Sequence, residues 1–89
     1  MKYTVIWKPE AEQELADLWV KADDRNVIAE TADQIDALLR QNAHELGESR
    51  TETTRTMVVP PLGIQFEVQQ DDCMVYVLAV WRYRLGRPL

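Results

Sequence analysis

Eighty-nine residues, 46% apolar and 28% charged, fit one folded domain spanning residues 1–89. A chain this short buries only about 60–65% of its unfolded surface, so its core has little redundancy. The composition is not that of a disordered chain. A net charge of −5 disfavours nucleic acid at the level of the whole chain, because phosphate contacts need clustered Lys and Arg. The average hides an asymmetry: residues 1–48 are strongly acidic, whereas residues 49–89 carry five arginines, Arg50, Arg55, Arg82, Arg84 and Arg87, against four acidic side chains.

The only cysteine is Cys73 and the only histidine is His44. That excludes an internal disulfide framework and an ordinary Cys/His zinc site within one chain, and a reducing cytoplasm is the expected location. No apolar run approaches the roughly 20 residues needed to span a bilayer, and the N-terminus does not have the pattern of an export signal, so no membrane association is expected.

In chain order, Tyr3, Val5 and Trp7 alternate with Thr4, Ile6 and Lys8, the period of a short strand. Pro9 ends it and suits the first position of a helix, whose opening turns carry Glu10, Glu12 and Glu14 at the positive end of the dipole. Ala11, Leu15, Leu18 and Trp19 give this helix an apolar side to about Lys21. Asp23 and Asp24 are N-cap candidates for a second helix with the stripe Ile28, Ala32, Ile35, Leu38 and Leu39, and Gly47 is its expected terminator. So short a connection predicts an antiparallel helical hairpin.

Beyond the polar stretch Glu48–Thr54, Arg55–Val59 reads as a strand that Pro60-Pro61 interrupts. Leu62, Ile64, Phe66 and Val68 then alternate with Gly63, Gln65, Glu67 and Gln69, a strand with one wet face. Gln70–Cys73 forms the next turn. Met74–Trp81 is apolar on both parities, which suits a central strand, and ends in Arg82-Tyr83-Arg84. The expected architecture is α+β: an N-terminal strand, a two-helix hairpin and a three-stranded antiparallel meander, with both helices on one face of a sheet of about four strands.

This order, together with Tyr3-Thr4-Val5 leading into Pro9-Glu10-Ala11 and Leu15-Ala16-Asp17-Leu18-Trp19, resembles the RelE/ParE toxin superfamily of type II toxin–antitoxin systems. Gly47-Glu48-Ser49-Arg50 is similar to the family's small-residue-and-Arg segment before its second strand. Pro60-Pro61-Leu62-Gly63-Ile64, Gln70-Asp71-Asp72 and Val77-Leu78-Ala79-Val80-Trp81 resemble its last hairpin. The resemblance implies growth inhibition by one of two activities, mRNA cleavage on the ribosome or poisoning of DNA gyrase. It also implies an antitoxin partner that lays an extended segment and a helix over the toxin.

RNA cleavage by a ribose 2′-hydroxyl needs a base, an acid for the leaving oxygen and positive charge on the phosphate. The resemblance points to Arg55, Arg82, Tyr83 and Arg84 as catalytic candidates and to Arg50 as an RNA contact, gathered on the open face of the sheet. Tyr83 could stack on a base or act as a weak acid. The plainer reading is that terminal Arg and Tyr side chains solvate a strand end. Arg82 and Arg84 share a parity that Tyr83 does not, which weakens a triad of all three.

Glu67 departs from the family, whose corresponding strand often carries a basic residue on its wet face. A carboxylate there repels phosphate unless an Arg lies beside it, and a solvated or ion-paired Glu is the simpler expectation. A protein-binding module without catalytic activity is therefore a second reading. His44, near a helix C-terminus, Cys73, in a turn, and the three tryptophans, at apolar-patterned positions, are expected to be structural. Without a phosphate loop, Walker motif or metal triad, neither cofactor nor metal is expected.

Overall fold

The computed structural model describes residues 2–83. Strand β1 (Thr4–Trp7) leads into helix α1 (Pro9–Lys21) and helix α2 (Arg25–Asn42). A 3-10 turn (Ala43–Glu45) precedes β2 (Glu48–Ser49), β3 (Thr54–Val59) and β4 (Leu62–Gln69), and a second such turn (Gln70–Asp72) precedes β5 (Met74–Arg82). The sheet order is β1-β5-β4-β3-β2. The meander β3-β4-β5 is antiparallel, and β1 returns to pair in parallel with β5, with Val5 opposite Val75. The sheet has five strands rather than about four, because Glu48 and Ser49 pair with Thr56 and Arg55.

Both helices cover one face of this sheet. Leu62, Ile64, Phe66, Val75 and Val77 point toward them and meet Ala11, Ile28, Ile35 and Leu39 in a core whose members are fully buried. Burying side chains of this size contributes roughly 1.5–3 kcal/mol each, so the hairpin's stability comes chiefly from the sheet beneath it. The stripe on α2 is Ile28, Thr31, Ala32, Ile35 and Leu39. Leu38, expected within it, lies one residue off the buried line and is 41% exposed. Thr31 is tolerated because its hydroxyl donates to the Val27 carbonyl at 2.7 Å.

Two details set the site. Gly47 has φ +68°, and a Cβ there would lie 2.2 Å from the Thr56 carbonyl oxygen, so the chain turns into β2 pressed against β3. In β5 the register slips: Phe66 faces Val77 but Gln65 faces Ala79, leaving Leu78 as a bulge. Past the bulge the parity of β5 is reversed. Val80 and Arg82 turn to the helix side with Val75 and Val77, and Ala79 and Trp81 turn to the uncovered face. The freed N–H of Val80 is taken up by the Glu14 carboxylate of α1 at 3.0 Å.

Candidate functional site: an open sheet face, a helical groove and a clamped arginine

The bulge corrects the expected gathering of arginines. With strict alternation Arg82 would share the open face with Tyr76; after the slip it pairs with Leu62 on the helix-covered side. There its Nη1 and Nη2 donate to the two Asp24 carboxylate oxygens at 3.0 and 3.1 Å. Asp24 occupies the N-cap position of α2 as expected, but its side chain makes no capping hydrogen bond and is turned to the guanidinium. The hydrogen bonds from Arg82 hold the Asp24 carboxyl below its usual range, and the same pairing raises the arginine above its own.

Arg55 is also on the covered side, opposite Phe66. It donates to the Leu46 and Gly47 carbonyls, the latter at 3.1 Å, and so ties the end of the helical hairpin to the sheet. Of the described candidate arginines, Arg50 alone reaches toward the open face, with Nε 3.3 Å from the Thr56 hydroxyl and Nη2 3.8 Å from Glu48. Tyr83 continues the β-pairing by donating its N–H to Pro61 O at 2.8 Å. Arg84 lies outside the described residues. Arg55 and Arg82 are thus both engaged within the chain, at different places, and they do not converge with Arg50.

The open face presents Val58, Gly63 and Trp81 in one row, Thr56, Gln65 and Ala79 in the next, and Thr54, Glu67, Tyr76 and Ile6 beyond. Trp81 is not core packing: 37% exposed, its indole lies across Gly63 so closely that any Cβ there would collide with it. The Lys8 ammonium sits 5.0 Å from the centre of the Tyr76 ring, a cation–π contact. Glu67 accepts from the Gln69 amide. Among the described residues no basic side chain forms an ion pair with it.

On the opposite side of the molecule the helices leave a groove of about 540 Å³ between them. Trp7, Leu15, Trp19 and Ile28 form its apolar walls, Ala16, Ala29 and Ala32 keep it open, and Glu12, Asp33 and Asp36 edge it. Trp7 donates its indole N–H to Asp36 at 3.1 Å, and Asp36 also pairs with Arg40 at 2.7 Å. Trp19, expected to pack inward, is 43% exposed on the rim, where the Arg25 guanidinium lies 4.8 Å from the ring centre. The width of the apolar side of α1, where Leu18, Trp19 and Val20 are consecutive, was the one sequence signal of such a groove.

His44 accepts from or donates to the Tyr3 hydroxyl through Nδ1 at 2.9 Å, and its Nε2 lies 3.1 Å from Glu45. It anchors the end of α2 to the N-terminal strand. Among the described residues no group of three His, Cys, Asp or Glu side chains is placed to hold a metal, and no helix is long and apolar enough to cross a membrane.

This architecture is that of the RelE/ParE toxins. Solved structures with the same fold include the RelBE2 toxin–antitoxin complex of Mycobacterium tuberculosis, with a TM-score of 0.75 and 18% identity over 92% of this chain and 92% of that one. A chain of the chromosomal ParDE system of P. aeruginosa matches with a TM-score of 0.72 and 16% identity over 93% and 98% of the two chains. The isolated RelE toxin of E. coli matches at 0.66 and 15% over 94% and 87%. No protein-family model and no curated protein sequence matches the chain. The likeness is therefore one of fold, shared by RelE and ParE proteins.

Proposed function

We propose that this chain is the toxin component of a type II toxin–antitoxin pair, acts in the cytoplasm and is neutralised by a small antitoxin protein. The observation that carries the reading is the RelE/ParE fold combined with an open, apolar groove on the helical hairpin. A groove of this volume with one exposed and one half-buried aromatic wall is suited to a partner's apolar side chains. Its carboxylate edge adds that the docking segment carries Lys or Arg beside those side chains. Copurification with the product of a neighbouring reading frame tests this. Ala29→Glu, which puts a charge inside the groove, abolishes the association and leaves the fold intact. Association unchanged by Ala29→Glu excludes the groove as the contact.

The target reading best supported is RNA, with the chain acting as a ribosome-dependent mRNA-cleaving toxin. Arg82 supports it: a guanidinium that holds a carboxylate by two parallel hydrogen bonds offers the same fork to a phosphodiester. Arg50, near the open face and not converging with Arg82, supplies a contact to a separate phosphate, and Tyr83 and Arg84 complete the proposed set. Truncated mRNA in a translation extract tests this activity, and inhibited supercoiling would instead indicate gyrase poisoning. The reading as a protein-binding module is favoured by Glu67 and by the engaged Arg55. It predicts copurification with a partner and no effect in either assay.

A further inference from the structure

We propose that Asp24 is a built-in competitor for Arg82: its carboxylate occupies the bidentate face of the guanidinium that a phosphodiester would use, and so holds the free chain in a low-affinity state toward single-stranded RNA. The inference rests on the RNA reading above and concerns how that site is withheld.

Four observations carry it. Both Nη atoms of Arg82 are filled by the two oxygens of one carboxylate, in the arrangement an Arg gives a phosphate. Of the three N–H groups left, the one on Nε is buried and has no partner in the described structure, so the Nε–Nη edge is closed and the fork open to a bidentate ligand is the one Asp24 holds. The pair is exchangeable rather than locked in the core, since the two side chains are 31% and 36% exposed. Finally, Asp24 stands where a carboxylate would ordinarily cap α2, and it leaves the helix without a side-chain cap in order to reach Arg82. The Leu78 bulge is the backbone device behind this, because it turns Arg82 toward α2.

A ligand therefore gains the bidentate contact with Arg82 only by displacing Asp24, and the neighbouring Asp23 adds a second negative charge near the guanidinium. The displaced Asp24 need not be left unsatisfied. Its N-cap position allows the side chain to turn to the first-turn N–H groups of α2, so exchange trades one carboxylate contact for another.

The test uses the full chain and Asp24→Ser, which removes the carboxylate while supplying a preferred cap for α2. Binding of a fluorescent oligouridylate is followed by anisotropy at low salt, where phosphate contacts are least screened. Asp24→Ser should bind about tenfold more tightly than the wild type, the scale of one added charge-assisted contact. Adding Arg82→Gln to Asp24→Ser should return the affinity to the wild-type value. Equal affinity of folded wild type and Asp24→Ser overturns the proposal, as does a gain that survives Arg82→Gln.

Side-chain NMR of the wild type gives an answer that does not depend on the variant folding. Separate, slowly exchanging Arg82 Nη–H resonances should persist at low oligouridylate and collapse only as Asp24 is displaced at high concentration. Resonances already averaged in the free chain overturn the proposal. Growth on induction is read in parallel: a tenfold gain through Arg82 in a chain that never arrests growth supports the competitor and rejects the toxin reading. Growth arrest by a wild type whose RNA affinity equals that of Asp24→Ser does the reverse.

Discussion

Gly47 joins the helical hairpin to the sheet, and substituting it tests how the fold positions Arg55. In Gly47→Ala the new Cβ would stand 2.2 Å from the Thr56 carbonyl oxygen and 2.9 Å from its carbon, both backbone atoms that no rotamer change can move. An L-residue at φ +68° adds roughly 1–2 kcal/mol of left-handed strain, and forcing packed backbone apart adds about 1–3. The expected loss is roughly 2–5 kcal/mol, a large share of the ~5–10 kcal/mol available to a domain of this size. Urea unfolding should show a lower midpoint with an unchanged slope, and thermal unfolding a fall of roughly 10–25 °C. Gly47→Asn separates the two causes, since Asn tolerates the left-handed region but carries the same Cβ. It should keep the roughly 1–3 kcal/mol of the close approach and lose most of the strain contribution. A Gly47→Ala variant within about 0.5 kcal/mol of the wild type would refute the close approach on which this reasoning rests.

Phe66→Ala removes a fully buried ring beneath both helices and should cost about 3–5 kcal/mol by chemical denaturation, enough to leave much of the chain unfolded at 37 °C. The Asp24 carboxyl titrates lower in the folded chain than in the unfolded one, so the stability it contributes is present above the unfolded value and disappears as pH falls through the folded one. Between about pH 5 and 2 the wild-type midpoint should therefore drop more steeply than that of Asp24→Asn, and parallel acid limbs would contradict the pairing. Trp19→Ala should leave thermal stability nearly unchanged, because the indole is half exposed, while weakening antitoxin association at least tenfold by calorimetry.

Much of the fold was legible because its signals are local and repeated. Pro9 with its acidic first turn, the 3.6-residue stripe from Ile28 to Leu39 and the alternation from Leu62 to Val68 each specify an element and its buried side. What was not legible depends on single-residue irregularities or on surroundings. Glu48 and Ser49 carry no strand pattern and pair only because Gly47 presses the chain against Thr56. Leu38 looks like stripe but falls past its edge.

The site was less legible than the fold for the same reason. Met74–Trp81 is apolar on both parities, so nothing in it announces the slip at Leu78, yet that one residue decides which face Arg82 occupies. Arg55, expected on the open face, shares the parity of Met57 and Val59, and only the three-dimensional return of Leu46 and Gly47 shows what its guanidinium binds. Position alone marks Asp24 as a cap, whereas its partner lies 58 residues away.

Inducing the chain in growing cells, with and without the neighbouring reading frame, puts the toxin–antitoxin reading to its most direct trial. Arrest by the chain alone, relieved by the neighbour and accompanied by truncated mRNA, is expected. Normal growth despite abundant, folded chain would contradict it.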